Sequence, residues 1–269
     1  MVNLVAPKLI SFEGTGRRAA SVTERNIACL RSMYWVVMIS GFVEPVLYLF
    51  SIGIGVGGLI GDLRLPDGRL VGYAEFVAPA MLASAAMTGS LSETTFNFFG
   101  KMKYMRLYEG MLATPIRPME IALGELAWAM VRGVLYSAAF LIIMVVLDLT
   151  SPPRALAMLP ATVLVGFAFG AIGMATSTVV RSWQDFDLIA SAQFALFLFS
   201  GTFVPPTHYP APVRWLIEVT PLYRSVDLTR ALSLGPVGPR QLADVLYLLA
   251  LFAVGLTLAG RRMGRMLCK

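Results

Sequence analysis

Six stretches of this chain run for about the thickness of a lipid bilayer with almost no charged side chain inside them: Tyr34–Leu59, Tyr73–Phe99, Ile121–Leu147, Leu156–Val180, Phe186–Val204, and Val245–Leu258 with its flanks. A helix rises ~1.5 Å per residue, so roughly 20 apolar residues cross a hydrocarbon core. In that core every backbone N–H and C=O must be satisfied within the protein, which leaves helices or a closed β-barrel. A barrel needs segments of ~10 residues that alternate apolar and polar. The runs here are instead continuous and rich in Leu, Ala, Met and Gly. The expected fold is therefore an all-α membrane protein with six transmembrane helices. Composition agrees: 57% of residues are hydrophobic and 14% charged, too few charges to cover a soluble particle of this size.

The basic residues give an orientation. With both termini cytoplasmic, fourteen Lys and Arg fall on the inner side, among them Lys101, Lys103, Arg106 and Arg117, and seven on the outer side. That bias fits an even number of spans with both ends inside. The formal net charge of +6 sits beside apolar runs, so it points to a membrane surface rather than to nucleic acid. The first ~30 residues have no apolar core of the signal-peptide kind, so insertion is expected to rely on the first span.

Three connecting segments carry information. Residues 11–33 alternate Val22, Ile27, Ala28, Leu30 and Met33 with Arg25 and Arg31 after a Ser21-x-x-Glu24 capping box, which reads as an amphipathic helix lying on the cytoplasmic interface. Residues 100–120 combine four basic residues with Leu107, Tyr108, Met111 and Leu112, and are stopped near Pro115. An apolar knob rimmed by charge suits docking into a groove of a cytoplasmic partner. Residues 200–230 are too apolar for a solvated loop and too broken by Pro205, Pro206, Pro210, Pro212 and Pro221 for a span. A helical hairpin re-entering the outer leaflet between spans five and six fits that pattern, with Tyr209, Trp215 and Tyr223 suited to the interface. No other segment reaches domain size, so residues 1–269 read as one transmembrane domain.

The chemistry-bearing residues are sparse. No G-x-x-x-x-G-K-[ST] phosphate loop is present; Gly14-Thr15-Gly16-Arg17-Arg18 lacks the lysine and the preceding strand. ATP and Mg would then belong to a partner, with no cofactor in this chain. The single histidine, His208, has no ligand cluster around it, and Cys29 and Cys268 stand in no metal or redox spacing. Inside the spans, Glu44, Glu93 and Arg132 are the costly ionisable groups. They line a pathway or pair across helices; Glu93 and Arg132 also lie near enough to span ends to snorkel. Gly166-x-x-x-Gly170 is a close-packing pattern, and Pro45 and Pro79 are candidate kinks. A lipid- or glycan-modifying enzyme built on His208, Glu218 and Asp227 is an alternative, as is a receptor or assembly protein that transports nothing.

Three segments resemble one family. Arg106–Gly124 (RLYEGMLATPIRPMEIALG) looks like the cytoplasmic coupling segment of type-2 ABC exporter permeases, the ABC-2 family. Ser200–Pro210 (SGTFVPPTHYP) resembles the outer turn after their fifth span, and Thr220–Leu232 (TPLYRSVDLTRAL) the segment before their last. The branch the chain resembles is the NodJ-type permeases, related to lipooligosaccharide, polysaccharide and drug exporter permeases. The resemblance implies a bacterial inner-membrane permease that pairs with a second copy of itself and binds two copies of a separate ATPase subunit. Tyr104, Leu107, Glu109, Met111, Leu112, Thr114 and Pro115 would couple to that ATPase. Gly201, Pro205, Pro206, Tyr209 and Pro210 would shape an extracellular gate. Substrate, a lipid-linked saccharide, glycolipid or hydrophobic compound, would pass between spans one, two and five, with Glu44, Phe194 and Phe197 as pathway candidates.

Overall fold

The computed structural model describes residues 15–30, 43, 47, 49–64, 68–206 and 209–267. Helix α1 (Thr15–Leu30) precedes a π-helical turn at Ser51–Val56 and one α turn at Gly57–Ile60. A short antiparallel hairpin follows, β1 (Asp62–Arg64) pairing with β2 (Leu70–Gly72) so that Leu63 faces Val71. The remaining helices are α2 (Tyr73–Ser92), α3 (Leu107–Leu112), α4 (Pro118–Val146), α5 (Pro152–Ser177), α6 (Asp185–Leu198), α7 (Ala211–Val219), α8 (Pro221–Leu234) and α9 (Pro239–Leu267). Apart from the hairpin, the described elements are helical. Three of the helices, α4, α5 and α9, are long and apolar enough to cross a membrane.

Local sequence explains where these helices begin. Proline opens α4, α5, α8 and α9, where its missing N–H costs nothing and its fixed φ suits a first turn. At α4 the Glu120 carboxylate accepts the Arg117 backbone N–H at 2.9 Å, and at α8 the Thr220 hydroxyl accepts the Tyr223 N–H at 3.3 Å. The Ser21–Glu24 pair does not cap: α1 starts six residues earlier, at Thr15, and carries both residues inside it. Its buried face is Val22 and Asn26, spaced by four as a helix laid on a bundle requires.

The core is three apolar clusters stacked along the bundle. One, at the hairpin end, gathers Leu49, Tyr73, Phe76, Met81, Phe140, Met144 and Met158. The middle one joins α2, α5, α8 and α9 through Met87, Val165, Phe169, Val226 and Leu248. The third, at the α3 end, holds Phe98, Phe99, Tyr108, Ile121, Leu126, Met174 and Met263. Small residues let the helices approach. A Cβ on Gly170 would meet Leu126 Cδ1 at 2.8 Å, and one on Gly255 the Ala171 backbone at 2.8 Å. The Gly166-x-x-x-Gly170 pattern thus marks a true contact face of α5.

Two boundaries depart from the sequence reading. The second apolar run does not stop at Phe99: π turns at Glu93–Asn97 and Gly100–Tyr104 carry the chain on to Tyr104, so the 100–120 connection is shorter than its sequence suggests. The fifth run, expected over Phe186–Val204, is helical only through Leu198; Gly201, at φ +71°, turns the chain away. About half of the first run falls outside the described residues, Glu44 and Pro45 with it.

Candidate functional site

A cavity of about 600 Å³ opens between α2, α4 and α6. Phe140, Phe194, Phe197, Met81 and Leu82 supply its apolar wall, and Thr88, Ser92, Ser137 and Gln193 its neutral polar groups. Glu93 and Arg132 meet there in an ion pair, the carboxylate side chain 8% exposed and the guanidinium 21%. Glu93 stands at the start of a π turn, a widened turn that re-aims side chains and often marks functional positions. Arg132 also donates to the Tyr136 hydroxyl at 3.1 Å, one helical turn along α4. The two charges that sequence placed separately in the second and third runs therefore neutralise one another across α2 and α4. Removing either would strand the other in a poorly hydrated site. Phe194 and Phe197 both line this cavity. Phe197 reaches the turn after α6 as well, its ring 5.3 Å from that of Phe203 at 84°.

At the far end of α2 a second constellation joins α1, α3 and α4. Glu125 on α4, 5% exposed, accepts from Lys101 at 2.6 Å and lies 3.6 Å from Arg25 of α1. Lys101 also donates to Asn26 Oδ1 at 3.3 Å, while Thr23 Oγ1 donates to the Gly124 carbonyl at 3.0 Å. Tyr108 of α3 is fully buried, and burial, reinforced by the nearby Glu125 carboxylate, pushes its phenol well above the ordinary value. Arg106, in left-handed backbone at φ 47°, turns the chain from the α2 extension into α3. Thr114 then closes the exit, its hydroxyl donating to the Met111 carbonyl at 2.6 Å.

The coupling candidates separate by exposure. Tyr104, Glu109, Thr114 and Pro115 face outward, whereas Leu107, Met111 and Leu112 are half-buried against the core at this end. The exposed apolar patch is therefore Tyr104 with Met105 rather than the leucines, and Tyr104 stacks on Trp183 with ring centroids 5.3 Å apart and planes at 22°. Phe99, Phe96 and Phe186 complete an aromatic cluster around Trp183.

The turn after α6 is built on Gly201. A Cβ there would sit 3.3 Å from Pro206 and 3.4 Å from Tyr223, so the turn packs on α8 through a residue that has none. Arg230 of α8 donates to the carbonyls of Gly201 at 3.0 Å and Phe76 at 3.2 Å. Pro205 and Pro206 are half-buried, the Tyr209 N–H donates to the Pro206 carbonyl at 3.1 Å, and Pro210 caps α7. His208 lies outside the described residues. Its two supposed partners are committed elsewhere, Glu218 to Arg214 at 2.8 Å and Asp227 to Arg240 at 3.1 Å.

Residues 19–234 match the family described as ABC-2 type transporter. The chain belongs to the ABC-2 type transporter family. It is similar to Nodulation protein J of Rhizobium leguminosarum bv. trifolii, 32% identical over 216 residues that cover 80% of each chain. Nodulation protein J of R. leguminosarum bv. viciae is 30% identical over 91% of this chain and 95% of its own. The Neorhizobium galegae protein of the same name is 29% identical over 90% and 93%. This ABC-2 member is a multi-pass membrane protein and an exporter permease with no ATPase site of its own, and its family implies an ABC ATPase partner.

In this ABC-2 permease, Glu125, Trp183 and Arg230 are the residues that sequence reading passed over. Glu125 was legible in principle, as a carboxylate within the third apolar run. Trp183 and Arg230 become notable only through what the fold brings to them.

Proposed function

We propose that this permease is the membrane half of an ATP-driven exporter, working as a homodimer with two copies of a separate ATPase and moving an amphiphile, either a lipid-linked saccharide or glycolipid or a hydrophobic compound, out of the inner leaflet or cytoplasm. The cavity between α2, α4 and α6 carries this reading. It joins a mainly apolar wall to a compact polar group at membrane depth, the combination an amphiphile's tail and head require. In the proposed arrangement six spans cross a bacterial inner membrane with both termini cytoplasmic. Helices α7 and α8 form the re-entrant hairpin, and the turn from Gly201 to Pro210 gates the outer end. Helix α1 and the segment from Tyr104 to Pro115 receive the ATPase, and the Glu125 cluster, which binds α1 to α2 and α4, hands its movement to the bundle.

Co-purification of the permease with an ATPase encoded beside it, followed by reconstitution, tests the proposal. The expected result is a stable complex whose hydrolysis depends on the permease. Glu109→Ala and Leu112→Asp should separate hydrolysis from export while ATP binding persists. A complex that never forms, with no permease-dependent hydrolysis, overturns the proposal; unchanged export by both variants removes the 104–115 segment from it. Reporter fusions at Gly68 and Glu109 should report opposite sides of the membrane.

A further inference from the structure

Helix α9 changes character toward its end. Between Asp244 and Leu267 it holds no acidic residue and three arginines, Arg261, Arg262 and Arg265. Its buried face includes Leu248, Gly255, Ala259 and Met263. The face turned away carries Val254, Leu258, Arg261 and Arg265, all exposed, at the alternating spacing of four and three that a helix brings onto one stripe. Gly260 packs against Met119 in the first turn of α4. Arg261 therefore stands at the level where two helices long and apolar enough to cross a membrane leave their apolar runs. Val254 lies ~10 Å from Arg261 along the axis, within the depth of one leaflet. The helix macrodipole favours a cation in the last turn only. That accounts for Arg265, which the last turn holds, and leaves Arg261 and Arg262 without that reason. A guanidinium's planar fork matches phosphate oxygens, and Arg261 and Arg265, one turn apart with Cβ atoms about 5–6 Å from each other, suit a single phosphate.

We infer that this end of α9 is a binding site for an anionic phospholipid, its phosphate held between Arg261 and Arg265 and one acyl chain lying along Leu258 and Val254. Arg262, on the flank of the stripe, adds to the positive field. Charge complementarity and the apolar stripe select this occupant together. A soluble anion would use the arginines alone, and a protein docked on them would leave Val254 and Leu258, at span depth, without a role. A lipid held there fixes the depth of α9, whose other sides carry Gly255 against α5 and Gly260 against α4, so the charge of the surrounding lipid bears on how firmly the last helix sits. The inference goes beyond the proposed export and uses the proposed topology only to call this leaflet the cytoplasmic one.

The test uses the full chain, without an ATPase, in phosphatidylcholine nanodiscs that carry a trace of phosphatidylglycerol or phosphatidylcholine with a diazirine on the acyl chain. Labelled peptides are identified by mass spectrometry. Phosphatidylglycerol should label residues 254–265 about tenfold more than phosphatidylcholine, since each cation at the membrane surface adds to the affinity for an anionic lipid. The preference should shrink as salt rises and persist against excess inorganic phosphate, which has no acyl chain. Arg261→Gln combined with Arg265→Gln should abolish it, and the corresponding Lys pair should keep part of it. Arg64→Gln, on the exposed hairpin, should leave it unchanged. Equal labelling by the two lipids in the wild-type protein, the result expected of a basic end that receives a protein instead, overturns the inference without any variant. So does full competition by inorganic phosphate, which would mark a site for a free anion. A Gln pair that melts normally and keeps the wild-type ratio overturns it as well; if the Gln pair does not fold, the wild-type ratio, the phosphate competition and the Lys pair decide. None of these readouts involves export, so failure here leaves the proposed function standing, and failure of that proposal leaves this site standing.

Discussion

The Arg230 guanidinium lies 3.8 Å from the centroid of the Phe76 ring, and from that position it reaches three backbone carbonyls on two other elements. It donates to the carbonyls of Phe76 on α2 and of Gly201 and Thr202 in the turn after α6. Its neighbour Thr229 donates to the Pro79 carbonyl at 3.0 Å. Helix α8 is thereby fastened to α2 beside the proline and to the turn that ends α6. Arg230→Ala should leave those carbonyls unsatisfied and remove a cation–π contact, at a cost of about 2–4 kcal/mol. A lower melting temperature, together with faster thiol labelling of a cysteine placed at Val204, would show it. Arg230→Lys should recover part of the loss because it keeps a cation over the ring but not the fork of donors. Equal melting of all three proteins would remove the fastening role.

A second joint lies at the other end of the bundle. A Cβ on Gly124 would stand 2.6 Å from Val22 Cβ and 2.7 Å from the Ala19 carbonyl oxygen. The second contact is with backbone, which has little room to yield. Gly124→Ala should push α1 off α4 and cost about 1–3 kcal/mol, read as faster protease cleavage within residues 15–30. The same change at Gly133, where an added Cβ meets nothing within 4 Å, should leave cleavage unchanged.

These two joints show what the sequence could and could not convey. The long apolar helices were legible because apolar runs of bilayer length have one solution in lipid. The close approach at Gly170 was legible from spacing alone. The ends of the helices were not: the chain past Phe99 stays helical through π turns, a hydrogen-bond shift with no residue signature. Helix α6 stops at Leu198, short of Gly201 at φ +71°, and the close approach of Gly201 to Tyr223 joins residues well separated in the chain. The candidate site was half legible. Glu93, Arg132, Phe194 and Phe197 each drew attention by residue type, but that all four line one cavity depends on how α2, α4 and α6 pack. The exposed face of the 104–115 segment was not legible either, because Leu107, Met111 and Leu112 pack on the chain's own core and leave Tyr104 and Met105 outside.

Glu125 holds two cations from two elements, and its loss should therefore be felt in both. Glu125→Gln removes the charge that Lys101 and Arg25 share. Both cations keep some solvent, 19% and 32% of the side chain, so the cost should be roughly 2 kcal/mol, below that of a fully buried pair. The functional consequence should exceed the stability loss: in the proposed complex, hydrolysis would continue while export falls. Measuring both rates on one preparation decides it. Parallel loss of the two would mean that Glu125 only supports the fold.

Tyr108 provides a pH-dependent check on the same region. Burial, with the Glu125 carboxylate adding to it, raises the phenol well above 10.0, the ordinary value. The folded protein thus holds the Tyr108 proton more tightly than the unfolded chain does. The resulting stability is complete below pH 10 and is lost as pH rises above it, because the unfolded phenol ionises first and draws the equilibrium toward unfolding. Melting followed from pH 8 to pH 11.5 should show a decline that begins near pH 10, and Tyr108→Phe, which cannot ionise, should flatten that part of the curve. Glu125→Gln should make the decline shallower, since the neighbouring negative charge is one of the causes of the shift. A wild-type curve and a Tyr108→Phe curve that fall together above pH 10 would mean that the Tyr108 phenol is not held protonated by the folded state.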